Sequence, residues 1–217
     1  MNEEKKQEMS VFTDTNRFEL AQRAAKLLSS SKLVPPNFQN NIPDCLMAQE
    51  IANRIGTSTF VVMQNLYPVH GKWGWSSTFL ISAINTCGKF SSLQYDISGK
   101  DDDLGCIAFA YNQKGDRVDS PRVTIGMAKA EGWMSKPGSK WKTMPQLMLC
   151  YRAAAFFARL YVPEITMGFK CVEELIDITP VKEETKSVFE ERPIEIDNKS
   201  IPKKVFETRS EVKTELL

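Results

Sequence analysis

Residues 92–125 read SLQYDISGKDDDLGCIAFAYNQKGDRVDSPRVTI. Three runs in this stretch have strand character: Ser92 to Ile97, Cys106 to Asn112 and Arg117 to Ile125. They are separated by two polar, Gly-containing turns, Gly99 to Asp103 and Gln113 to Asp116. A short turn returns the chain beside the strand it has just left, so runs joined in this way pair antiparallel. The spacing predicts an antiparallel meander. On its C-terminal side, residues 126–131 read as a short helix and Gly132 to Ser139 as a flexible loop. The strongest helix of the chain follows, Met144 to Tyr161, with Leu147, Met148, Tyr151, Ala154, Ala155, Ala158 and Leu160 at helical spacing and Pro163 as its stop.

On the N-terminal side, Phe79, Ile81, Ala83 and Ile84 predict a helix over Thr78 to Thr86 that ends at Cys87-Gly88. Before it, Leu66 to Val69 and Trp73 to Ser76 flank the turn His70-Gly71-Lys72 and predict a hairpin. Further upstream are a short helix capped within Thr57-Ser58-Thr59, a helix from Pro43 to Arg54, an extended linker at Pro35-Pro36 and a helix from Asn16 to Ser29. The expected fold is α+β: a meander and a hairpin packed with helices in one compact domain. Residues 1–14 are expected to be a flexible N-terminus, 15–176 the core, and 177–217 a charged, mobile tail rich in both acids and bases.

The chain has 217 residues and a formal net charge of +1, so total charge points to no partner. Its distribution says more. No acid occurs between Glu50 and Asp96, where Arg54, Lys72 and Lys89 stand. None occurs between Glu131 and Glu164, where Lys136, Lys140, Lys142, Arg152 and Arg159 stand. All four tryptophans, Trp73, Trp75, Trp133 and Trp141, fall in these two segments. Cations neutralise phosphates and aromatic faces stack on bases, the combination a single-strand binder uses. Ser76 and Ser77 add donors that reach phosphate oxygens. Taken one at a time, a tryptophan is more often a core residue and a lysine a solvated one, so composition by itself leaves function open.

Motifs for several chemistries are missing. The run Asp101-Asp102-Asp103 lacks the later ligands of a calcium loop and reads as a solvated turn. His70 is the only histidine, and no cysteine pair stands near it, so no metal site is expected. No phosphate-binding loop or dinucleotide fingerprint occurs, which argues against an ATP-driven motor. The five cysteines show no paired spacing, the N-terminus is polar, and no apolar run approaches the ~20 residues of a membrane span; a cytoplasmic protein with free thiols is expected.

Residues 60–97, FVVMQNLYPVHGKWGWSSTFLISAINTCGKFSSLQYDI, and 133–161, WMSKPGSKWKTMPQLMLCYRAAAFFARLY, resemble two blocks of the RecT family of phage recombination proteins, in the family's order and with a meander between them. Within 120–170 the likeness is to RecT-like proteins of phages and prophages. The resemblance spans about 15–176. It implies ATP-independent annealing of single-stranded DNA, no catalysis and no cofactor, in the cytoplasm of a bacterial host. It also implies a homo-oligomer, ring or helical filament, that works beside a 5′-to-3′ exonuclease and a host single-strand-binding protein. Carried over by position, Lys72, Trp73, Trp75, Ser76 and Ser77 line the DNA groove. Trp141, Lys142 and Arg152 match the second block, and Arg159 lies two turns further on. Many members have consecutive lysines where this chain reads Cys150-Tyr151-Arg152-Ala153, so phosphate contacts fall to Lys136, Lys140 and Arg152. Arg152 and Arg159, seven apart, project within about 20° of each other on a helix. The rival expectations are a protein-binding adaptor whose tryptophans anchor an interface and, with less to support it, a metal-dependent nuclease.

Overall fold

The structure is a computed structural model that describes residues 10–178. The expected tail beyond Ile178, and residues 1–9, lie outside the described residues.

Helix α1 (Thr15–Ser29) starts where the Asp14 side chain accepts from the Arg17 N–H. It buries Ala21, Ala25 and Ser29, small residues one turn apart that let it lie close on α2 (Ile42–Ile55), whose Cys45, Ala48 and Ala52 are buried. Residues just before α1, expected to be flexible, are instead tied down. Ser10 Oγ and the Val11 N–H both donate to Glu50 Oε2, at 3.0 and 2.9 Å, and Ser10, Val11 and Glu50 are all buried.

Helix α3 (Thr59–Asn65), capped by Ser58, runs directly into β1 (Leu66–Val69), which pairs antiparallel with β2 (Lys72–Trp75). The connecting pair His70-Gly71 has φ of 49° and 76°, the double left-handed conformation that matches the twist of a two-residue hairpin. A further strand, β7 (Lys170–Cys171), adds to β2 in parallel. The approach is so close at Gly74 that a Cβ there would lie 3.0 Å from the Lys170 carbonyl of β7 and 2.6 Å from Cδ1 of Leu175 in the segment that follows it.

The meander forms a second sheet. β3 (Gln94–Ser98) and β4 (Gly105–Tyr111) pair antiparallel, and β4 pairs on its other edge with β5 (Arg117–Asp119) and β6 (Val123–Thr124). The third strand is thus split where one continuous run was expected. Pro121 has no N–H to donate, and Ser120 bridges the gap: its N–H donates to the Ala108 carbonyl at 2.8 Å and its hydroxyl accepts from the Ala108 N–H at 3.0 Å.

Helices α4 (Ser77–Thr86), α5 (Ile125–Ala130) and α7 (Pro145–Tyr161) cover the sheets. Between α5 and α7, the stretch expected as a flexible loop is pinned. Trp133–Ser135 forms a 3-10 turn with Trp133 buried, Ser139 Oγ donates to the Trp133 carbonyl at 2.7 Å, and α6 (Lys140–Thr143) follows. After α7 come α8 (Pro163–Thr166), β7 and α9 (Val172–Ile178). Two apolar clusters form the core. One lies under the meander sheet and takes in Ile84, Cys106, Ala108, Val123, Leu149 and Phe157. The other joins α1 to α3 with the hairpin sheet through Phe38, Val62, Met63, Trp75 and Leu80. The alanines of α7 let one helix serve both: Ala153, Ala154 and Ala158 belong to the first cluster and Ala155 to the second.

Candidate nucleic-acid interface

The hairpin presents Lys72 to solvent, whereas Trp73 is half-buried against Phe38, with ring centres 5.4 Å apart. Trp75 turns inward. It is fully buried, stacks on Phe79 at 4.3 Å and donates from Nε1 to the Thr166 carbonyl at 3.1 Å. Ser76 caps α4 by accepting the Phe79 N–H at 3.1 Å, and it donates to Asn65 Oδ1 at 2.8 Å. Ser77 is buried and donates to Glu173 Oε2 at 2.6 Å.

In the second segment Lys140 and Lys142 are exposed on α6. Trp141, between them, is buried, with its ring 5.2 Å from Trp133 and its Nε1 donating to Asp177 Oδ2 at 2.9 Å. Trp75, Trp133 and Trp141 therefore sit in the core rather than on a groove wall, packed against other side chains. Arg152 is only 3% exposed. Its guanidinium lies over the Trp133 ring at 4.0 Å, pairs with Asp177, and stands 3.8 Å from Glu174. Arg159, 47% exposed, also pairs with Glu174. The two arginines do share a side of α7, as their spacing implied, but that side faces α9. Lys136 Nζ donates to the Ile176 carbonyl at 2.6 Å.

Of the eleven candidates, Lys72, Lys140 and Lys142 are exposed, Trp73 and Ser76 are partly so, and Trp75 is in the core. The remaining five, Ser77, Lys136, Trp141, Arg152 and Arg159, all meet one element, α9. That helix supplies Glu173, Glu174 and Asp177, and reasoning from sequence misses it. Its acids open the charge-rich C-terminal composition, and Asp177 falls inside the expected tail. The available signal is Leu175 between Glu174 and Asp177: an apolar residue, buried in the fold, beside acids that pair with the buried Arg152 and the half-exposed Arg159.

Burial pushes the Asp177 carboxyl up, against the pull of the Trp141 N–H and Arg152, and leaves it above the ordinary aspartate range. Burial, reinforced by Glu174 and Glu173, pushes the Cys171 thiol up to about 12, which keeps it protonated and unreactive. The Asp101–Asp103 run forms a 3-10 turn whose acids hold neighbours: Asp102 pairs with Lys129, and Asp103 with Arg122 at 2.9 Å. The hydrogen bond from Arg122 holds Asp103 below the ordinary range. Among the described residues no group of three or more His, Cys, Asp or Glu side chains could hold a metal ion, and no helix is long and apolar enough to cross a membrane.

No protein-family model, curated protein or solved structure matches the chain.

Proposed function

We propose that this protein binds single-stranded DNA and anneals complementary strands without ATP, as a homo-oligomer in phage homologous recombination. The observation that carries the reading is the set of cations that the two acid-free segments leave exposed, Lys72, Lys140 and Lys142. Ser77, Lys136, Trp141, Arg152 and Arg159 of the same segments are held by acceptor groups of α9. Cations without neighbouring acids in sequence screen phosphate repulsion between two strands and release condensed counterions on binding. Annealing then needs no bond chemistry, because correct pairing supplies the free energy that retains matched strands. The RecT resemblance supports the same reading, and with it a bacterial cytoplasm, a 5′-to-3′ exonuclease and a host single-strand-binding protein as surroundings.

The test is fluorescence anisotropy of a labelled oligonucleotide over a series of salt concentrations, followed by addition of its complement. Binding is expected to weaken steeply with salt, and duplex formation to accelerate without ATP. Replacing Lys72, Lys140 and Lys142 together by Ala is expected to weaken binding alike for all sequences. The same change flattens the logarithmic salt slope by roughly 0.7 for each phosphate no longer neutralised. Absence of binding at low salt overturns the reading.

A further inference from the structure

We propose that α9 is an internal occupant of the DNA groove: its carboxylates fill phosphate sites, and single-stranded DNA binds there by displacing the helix. This rests on the annealing reading above and adds the regulation of that same site.

The groups that converge on α9 are donors or cations, namely Ser77, Lys136, Trp141, Arg152 and Arg159. What α9 offers them in return is acceptor oxygens, from Glu173, Glu174, Asp177 and the Ile176 carbonyl. Non-bridging phosphate oxygens have the same chemistry, and a guanidinium takes them in the same forked geometry as a carboxylate. Exchange of one anion for another leaves Arg152 paired at either end of the process, which simple departure of α9 would not.

The helix is built to be exchangeable. At seven residues it is too short to persist once undocked, so its order depends on its packing. Its apolar anchor is Leu175, which sits over β2 where Gly74 has no side chain. Burial already holds the Asp177 carboxyl above its ordinary range, so docking works against that group's ionisation. A route in also exists. A cleft of about 280 Å³ opens beside α9 between Arg159, Phe169, Lys170 and Glu174, and Arg159 is reachable there while still paired. A first phosphate on Arg159 and Lys170 would compete for Glu174's partner before the buried Arg152 is uncovered.

Hydrogen exchange of the full chain, read by mass spectrometry with and without polythymidine oligonucleotide at low salt, tests this directly. The expected result is loss of protection in residues 172–178 in proportion to DNA occupancy, with protection retained in α7. A companion variant, Glu173→Gln, Glu174→Gln and Asp177→Asn together, keeps acceptor oxygens but removes the charge. It is expected to bind the same oligonucleotide more tightly by roughly 5- to 150-fold, the usual span of a coupling between two competing states. If DNA binds and residues 172–178 keep or gain protection, α9 is a fixed strut and the proposal fails while the annealing reading stands. If the full chain does not bind at low salt, both fail; if the neutralised variant folds and binds no more tightly than the full chain, the displacement proposal alone fails. Should the variant not fold, the exchange experiment on the unaltered chain decides.

Discussion

Among the described residues, Arg152 is the one buried cation. It is buried among Asp177, Glu174 and the Trp133 ring, while Arg159 reaches the same Glu174 from a position half in solvent. Removing one partner of a buried pair strands the other without water or counterion, which costs about 3–5 kcal/mol. Arg159 stands half in solvent, and its buried partner Glu174 still has Arg152 at 3.8 Å when Arg159 is removed, so that loss is partly compensated and costs less. Arg152→Ala is therefore expected to lower the urea midpoint far more than Arg159→Ala. Equal, small shifts for the two would mean that Asp177 is not buried with Arg152 in solution. Under the proposed DNA-binding function, a loss of affinity in Arg152→Ala would include a loss of fold, whereas the exposed Lys140 and Lys142 would report on binding without it.

The joint between β2, β7 and α9 turns on a single missing side chain. A Cβ at Gly74 would meet Leu175 Cδ1 at 2.6 Å and the Lys170 carbonyl at 3.0 Å. The leucine methyl can swing aside, but the carbonyl belongs to the strand that pairs with β2. Overpacking of this kind costs about 1–3 kcal/mol. Gly74→Ala is expected to accelerate hydrogen exchange across residues 170–178 and to leave the β1–β2 register, and protection in β4 and α7, in place. Uniform acceleration across the chain would show instead that the C-terminal segment and the core unfold as one unit.

For the fold as a unit, two carboxyls far apart in the chain set opposing responses to pH. Burial alone would raise Glu50, but the Val11 N–H, Arg54 and the Ser10 hydroxyl outweigh it and hold the carboxyl below the ordinary glutamate range. Its stabilising contribution is complete above that range and is lost as pH falls through its folded-state value. Asp177, held above its ordinary range by burial, binds its proton more tightly folded than unfolded. Its contribution therefore declines as pH rises above the ordinary aspartate range. In urea unfolding across a pH series, the stability advantage of wild type over Glu50→Gln is expected to grow from acid to neutral pH. The stability of wild type relative to Asp177→Asn is expected to move the other way. Parallel curves for either pair would remove that carboxyl from the pH response.

Much of the architecture is legible in the chain because the signals are local. Helical spacing marks α1, α4 and α7, the Gly-containing turns mark the meander, and His70-Gly71 marks the hairpin. The rules behind these signals act over a few residues, so a sequence displays them directly. The break in the third strand is legible in part, since Pro121 stands in view. The candidate site is legible as a set of residue types but not as a surface. Nothing within a turn or two of Trp75 or Trp141 says that its ring faces inward. Nothing near Arg152 says that its counterion is Asp177, twenty-five positions away. Local composition, rich in charge, puts Asp177 in a tail; docking of α9 puts it in the interior. Where a charged side chain ends up depends on which distant segment folds over it, because the cost of burying the charge is met only by a partner that the chain's three-dimensional course brings there.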